Sequence, residues 1–433
     1  MSSYTVTADH LVTPDAVLTP GWLRVAGGRI AALGAGPPPL AGGPGAGGSP
    51  GGGPGGGPGG PAGPVRHGHW VLPGFVDLHV HGGGGGSFTD GDADSARRAA
   101  AFHRAHGTTT LLASLVTAPV PDLEGRLAML AALAGEGVID GIHLEGPFLS
   151  QARCGAQDPR YLIDPDLGVY SRLQAAAGGW LKMITIAPER PGAAAVIEAA
   201  VAGGVIAAAG HTDATAEVTA AAVATGISHA THLGNAMRPL RQRDPGPVGA
   251  LLDAQVTCEV IADGLHLHDT MIRLIARAAG PGNLVLITDA IAAAGMPGGT
   301  YRLGPQEVTV SGGIARLAVA HAPDPAPDPA PDPARARARD PARDPALAPG
   351  AAPPLGPIAG STATMDQVVR HAVSTVRLPV TEAAAAASTT PARLLGLAGR
   401  TGALRPGLAA DLVLLDEAWQ LTAVIAAGAL VCS

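Results

Sequence analysis

Phe75-Val76-Asp77-Leu78-His79-Val80-His81, running into the five glycines Gly82 to Gly86, is the stretch on which the fold turns. Its apolar residues, with Val71 and Leu72 upstream, and its abrupt end in glycine predict a β-strand. Side chains alternate faces along a strand, so Asp77, His79 and His81 are expected to point the same way. Two imidazoles two residues apart on one strand face converge well on a metal ion. Histidines that merely decorate a solvated strand end are the weaker reading, because the flanking residues are apolar and histidines recur at later strand ends.

Outward from that strand the chain alternates strands with Ala-rich helical segments. Strands are expected at 75–81, 108–115, 138–145, 182–187, 205–211, 227–232, 256–263 and 284–289, with helices such as 93–105, 121–134, 192–202, 213–225 and 269–279 between them. Eight strands each followed by a crossover give an α/β fold, a (β/α)8 TIM barrel of the metal-dependent hydrolase type over residues 71–399. A hairpin at 301–317, its turn holding an insertion, and a helix near 364–377 complete it. Short strands at 4–33 and 400–433 suggest a small β-sandwich domain built from both chain termini, 1–70 and 400–433. Residues 34–64 are almost pure Gly and Pro, and about 320–354 repeat Pro, Ala, Asp and Arg. Both are expected to be disordered insertions, because such segments bury too little apolar surface to offset ordering entropy.

Composition narrows the function classes. The 433 residues carry a formal net charge of −7 and no basic run, which argues against nucleic acid and membrane surfaces as partners. The longest apolar run, about 196–210, is broken by Glu198 and glycines and reads as a helix and a strand, not a membrane span. No secretory signal is visible, and Cys154, Cys258 and Cys432 are too scattered for a disulfide framework, so the expected location is cytoplasmic.

Chemistry in such barrels sits at the C-terminal strand ends. There the sequence places His79 and His81, Glu145, Glu189, His211 with Asp213, His232 with Asn235, Asp263 with His266, and Asp289. Imidazoles and carboxylates gathered at one end make a divalent-metal site.

Five stretches, Phe75–Gly82, His143-Leu144-Glu145-Gly146-Pro147-Phe148, Gly210–Thr215, Thr231-His232-Leu233-Gly234-Asn235-Ala236-Met237 and Ala262–His266, resemble the signatures of the N-acetylglucosamine-6-phosphate deacetylase family of the amidohydrolase superfamily. The resemblance covers nearly the whole chain outside the two insertions. It implies that Glu145, His211 and His232 hold a main divalent metal ion, and that His79 and His81 hold a second one with Glu145 bridging. Zinc is the first expectation, with iron, manganese and cobalt also compatible. It further implies metal-bound hydroxide attack on the acetamide of N-acetyl-D-glucosamine 6-phosphate, with Asp289 as general base and acid, in amino-sugar catabolism or cell-wall recycling. Asn235, the Ala236 amide and His266 would contact the sugar phosphate. Arg243 would reach the phosphate in the neighbouring subunit, which implies a homodimer. Related hydrolases bridge two metals with a lysine at the end of the fourth strand; the only lysine here, Lys182, starts that strand.

Two departures stand out. Gly155-Ala156-Gln157 lines the expected substrate pocket where the family commonly has a histidine that polarises the acetyl carbonyl, and Gly234 replaces a frequent tyrosine. The alternative functions are deacetylation of the galactosamine epimer and a catalytically weak sugar-phosphate-binding barrel. His143 is expected beside the site as a packing residue, His229 against a helix, Asp77 facing the site to orient His211 or His232, and Cys154 in the loop above it.

Overall fold

The computed structural model describes residues 3–39, 65–318 and 356–432. Of the expected disordered insertions, 320–354 lies wholly outside the described residues and 34–64 does so apart from 34–39, where the fourth N-terminal strand, Arg29–Ala35, already occupies Gly34 and Ala35.

Eight parallel strands form the barrel: β1 Phe75–Val80, β2 Thr108–Leu115, β3 Gly141–Glu145, β4 Leu181–Ile186, β5 Ile206–Ala209, β6 His229–Ala230, β7 Thr257–Ile261 and β8 Leu284–Ile287. They pair in chain order, and the ring meets itself where the Asp289 amide donates to the His79 carbonyl at 2.8 Å and Val80 bridges Ala290. Around it stand α1 Ala93–Ala105, α2 Val120–Gly135, α3 Leu167–Ala176, α4 Ala193–Ala202, α5 Ala216–Thr225, α6 Gly246–Asp253, α7 Asp269–Ala279 and α8 Met365–Ser374. Their starts are legible in side chains: Asp92, Asp166 and Thr215 accept hydrogen bonds from the first-turn amides of α1, α3 and α5. On α7, Ile272, Ile275, Ala276 and Ala279 are the buried residues, the spacing of one helical face.

Inside the barrel, Val76, Leu78, Leu112, Met183, Ala208, Ile261, Val285 and Ile287 pack into one apolar cluster. The helical run 380–394 closes that end, with Ala392 in the cluster and Leu394, Leu395 and Leu397 against it. The chain termini share one eight-stranded sheet. The C-terminal strand Leu412–Leu415 reaches the N-terminal strand Tyr4–Val12 only through Val65–Pro73, which pairs with both and then runs into β1. That sheet fixes the entry of the strand bearing His79 and His81.

One expectation needs correcting. The region 301–317 is not a hairpin with an insertion in its turn but three antiparallel strands, Gly299–Leu303, Gln306–Ser311 and Ile314–Leu317, joined by short turns. The insertion follows the third strand, and the chain returns to pair Ile358 with Arg316.

Candidate metal centre

The polar end of the barrel is assembled where the strands stop. Glu145 is the last residue of β3, while His211, His232 and Asp289 each lie two residues beyond β5, β6 and β8. These three, with Ala236, have positive φ (46°, 28°, 49° and 47°). Each such non-glycine residue costs on the order of 1–3 kcal/mol, so the backbone is bent at just the positions that turn side chains into the mouth.

Two groups of donors result, Glu145 with His211 and His232, and His79 with His81 and Asp289, all buried. Glu145 joins them. Its Oε1 lies 3.0 Å from His211 Nε2 and 2.9 Å from His232 Nε2, and its Oε2 lies 3.7 Å from His79 Nε2 and 3.5 Å from His81 Nε2. Asp289 Oδ1 stands 3.5 and 3.2 Å from the latter two nitrogens. The Nε2 atoms of His79 and His81 are 3.1 Å apart, as are those of His211 and His232.

When the proton of each ring sits on Nδ1, the facing Nε2 atoms turn lone pairs toward each other, and a cation between them satisfies both. The opposite ring nitrogens hold the imidazoles in that orientation. His79 Nδ1 faces Glu259 Oε2, His81 Nδ1 the Ser114 carbonyl, and His211 Nδ1 the Arg153 carbonyl, at 3.1, 3.1 and 2.9 Å. Backing of this kind fixes the tautomer that offers Nε2 to a metal. His232 differs, because its buried Nδ1 has no hydrogen-bond partner among the described residues. The residues present therefore fit divalent cations of the nitrogen- and oxygen-binding kind.

Charge is the second indicator. Burial opposes ionisation of Glu145, yet His79 and His211, with hydrogen bonds from His211 and His232, hold its carboxyl well below the ordinary range. Burial likewise opposes the His79 cation, but Asp289, Glu145 and Glu259 pull its pKa well above the usual imidazole value. Asp289 is held low against burial by His79 and His81. The buried carboxylates favour positive charge on His79 and His211, and a cation in their midst supplies that charge instead.

The remaining expected residues are distributed around this centre. The Gln157 amide is already engaged, donating to Glu145 Oε2 at 2.7 Å while its oxygen accepts from Thr117 N at 2.8 Å. Gly155, at φ +55°, lies so near that an added Cβ would sit 3.2 Å from His211 and 3.3 Å from the Ala236 Cβ; Ala156 is partly buried beside it. Asn235 donates to the His232 carbonyl, and His266 Nδ1 is 2.9 Å from Asp263 Oδ2. Arg243 is exposed on the loop before α6. Glu189 does not join the donors; it accepts from Thr212 Oγ1 and Asp213 N. Lys182 is at the start of β4, donating to the Gly179 carbonyl.

His143 lies beneath His79, its ring nitrogens on Ser114 Oγ and Thr185 Oγ1. His229 does not pack against a helix: it points into the barrel, its Nε2 3.0 Å from Glu259 Oε1. Nor does Asp77 orient His211 or His232. It accepts from Thr288 Oγ1 at 2.6 Å and so ties β1 to β8. Both errors come from extending strand alternation across irregular backbone, since the β1 register shifts between Asp77 and Val80 and β6 ends at Ala230. Sequence reasoning also passed over Glu259, the fully buried carboxylate of β7; its signal was a lone charge within Thr257-Cys258-Glu259-Val260-Ile261.

Residues 70–431 match the amidohydrolase family profile. The chain belongs to that family. Its amidohydrolase relatives include the N-acetylglucosamine-6-phosphate deacetylase of Lysinibacillus sphaericus, 34% identical over 83% of this chain and 85% of that one. An N-acetylgalactosamine-6-phosphate deacetylase of Escherichia coli O157:H7 is 33% identical, over 81% of this chain and 85% of the relative. The solved structure of a mutant N-acetyl-D-glucosamine-6-phosphate deacetylase from Mycobacterium smegmatis, in complex with N-acetyl-D-glucosamine-6-phosphate, matches with a TM-score of 0.84 and 43% identity over 100% of both chains. Family membership and the donor groups together make the mouth of this amidohydrolase barrel a divalent-metal site.

Proposed function

We propose that this chain hydrolyses the acetamide of N-acetyl-D-glucosamine 6-phosphate, giving D-glucosamine 6-phosphate and acetate. The observation that carries the reading is the convergence of Glu145, His211, His232, His79, His81 and Asp289 in the barrel mouth of a chain whose relatives are deacetylases of this sugar phosphate. Glu145, His211 and His232 would hold one ion, and His79 and His81 a second, with Glu145 between them. A bound divalent cation, zinc in the first instance, supplies a more acidic water and a polarised carbonyl.

The chain's own residues supply the rest. Asp289 Oδ1, already turned toward the centre, takes the proton as the water oxygen bonds to the carbonyl carbon. It returns that proton to the nitrogen as the C–N bond breaks, so the amine leaves neutral. Asn235, the Ala236 amide and His266 face the sugar phosphate, and Gly155 and Ala156 leave room for it. Gln157 serves the acetyl group less than its position suggests, because its amide is bonded to Glu145. Arg243, exposed and planar-forked, suits a phosphate in a neighbouring subunit, in a homodimer. The three free cysteines accord with a reducing cytoplasm.

The test is acetate release by the purified protein, from both the glucosamine- and galactosamine-based substrates, before and after chelation and zinc restoration. Turnover of the glucosamine substrate, abolished by the chelator and restored by zinc, is expected. Faster release from the galactosamine epimer would reassign the substrate. Sugar-phosphate binding with no acetate from either would leave only a binding barrel.

A further inference from the structure

Glu259 occupies the interior of β7, wholly buried, and none of the functional roles above uses it. Three N–H groups converge on its carboxylate. Oε2 lies 3.1 Å from His79 Nδ1 and accepts from the His232 backbone amide at 3.0 Å; Oε1 lies 3.0 Å from His229 Nε2. His79 belongs to one donor group of the centre and His232 to the other. Two different adjustments thus depend on one oxygen. At His79 it keeps the proton on Nδ1, which leaves the Nε2 lone pair free for a cation. At His232 it secures a backbone held at φ 28°, a conformation that persists only when its surroundings enforce it.

We propose that Glu259 is a positioning residue that couples the two halves of the metal centre, orienting the His79 ring and the His232 backbone through the same carboxylate oxygen. The inference rests on the metal-centre reading above. An ionised carboxylate only accepts hydrogen bonds, which matches a site whose partners all donate. Glutamine, of nearly the same shape, must turn its NH2 group toward at least one of them. Aspartate keeps the charge but falls one methylene short.

The experiment is a zinc titration of the whole chain in metal-buffered solution, reading stoichiometry and affinity for wild type, Glu259→Gln, Glu259→Asp, His79→Ala and the double variant His79→Ala with Glu259→Gln. Thermal midpoints of the metal-free proteins report folding alongside. Both single Glu259 variants are expected to bind zinc about 10- to 100-fold more weakly, the range for lost partners of metal ligands. In the His79→Ala background, adding Glu259→Gln is expected to weaken the remaining zinc further, through His232.

Affinity within twofold of wild type for folded Glu259→Gln would overturn the proposal. Wild-type affinity for Glu259→Asp would overturn it too, since charge alone would then suffice. No further loss in the double variant would break the coupling to His232. Wild type that takes up no zinc would instead remove the metal centre itself.

Discussion

The same eight strands build two unlike regions, an apolar plug at one end and a polar cup at the other. Single strands cross from one to the other within two residues: Leu112 packs in the plug while Ser114 bonds His143, and Met183 packs there while Thr185 bonds the same ring. The plug is held by burial, which is favourable by about 25 cal/mol for each Å² of apolar surface removed from water. The cup collects buried charges and four left-handed backbone positions, both unfavourable on their own. Stability and chemistry therefore reside at opposite ends of the same scaffold, and substitutions should separate them.

The largest separation is expected at Asp289. Asp289→Asn keeps the shape and removes the proton acceptor, so acetate release should fall about 10²- to 10⁴-fold, the usual contribution of general acid–base catalysis. Its urea midpoint should stay close to that of wild type. Near-wild-type turnover would deny Asp289 its role, and a collapsed midpoint would show that the cup carries stability after all.

The converse variant is Leu112→Ala, in the plug. Leu112 is fully buried, and its truncation should lower stability by about 2–5 kcal/mol, read from urea unfolding. Bound metal per chain and turnover of the folded fraction should be unchanged. A parallel loss of metal would mean that the plug tunes the cup and that the two ends are not separable.

How the two regions announced themselves in the sequence differs for the same physical reason. Apolar strands punctuated by glycine, with a histidine or carboxylate at each C-terminal end, are local patterns, and they led to the barrel and to Glu145, His211, His232, His79, His81 and Asp289. What was lost depended on contacts across the barrel. Glu259 is one charge in an apolar strand until β7 is brought within reach of His79, whose position lies 180 residues away. His229 and Asp77 were misread because period-2 alternation holds only while the backbone stays regular, and both adjoin a break. Arg243, exposed in a loop, gains a role only through the family resemblance.

The smallest effect lies on the seam between barrel and helix. His103, on the inner face of α1, bonds the Gly82 carbonyl at 2.9 Å and so braces the loop that follows His81. The fit is close: a Cβ on Gly83 would meet His103 at 2.6 Å. Its Nδ1 is buried without a partner among the described residues, and burial pushes the imidazole pKa down to about 4. The unfolded chain takes up this proton as pH falls through about 6.5, but the folded chain only near 4. Stability from the buried neutral ring is thus complete above pH 6.5 and lost as pH drops to 4, with a ceiling of about 3 kcal/mol. Glutamine can donate to the same carbonyl without titrating. His103→Gln should therefore flatten the dependence of the urea midpoint on pH between 4 and 6.5, while metal content at pH 7.5 stays at the wild-type level. An unchanged slope would assign the acid sensitivity to the carboxylates and histidines of the cup, and would remove α1 from the account of how the two regions are joined.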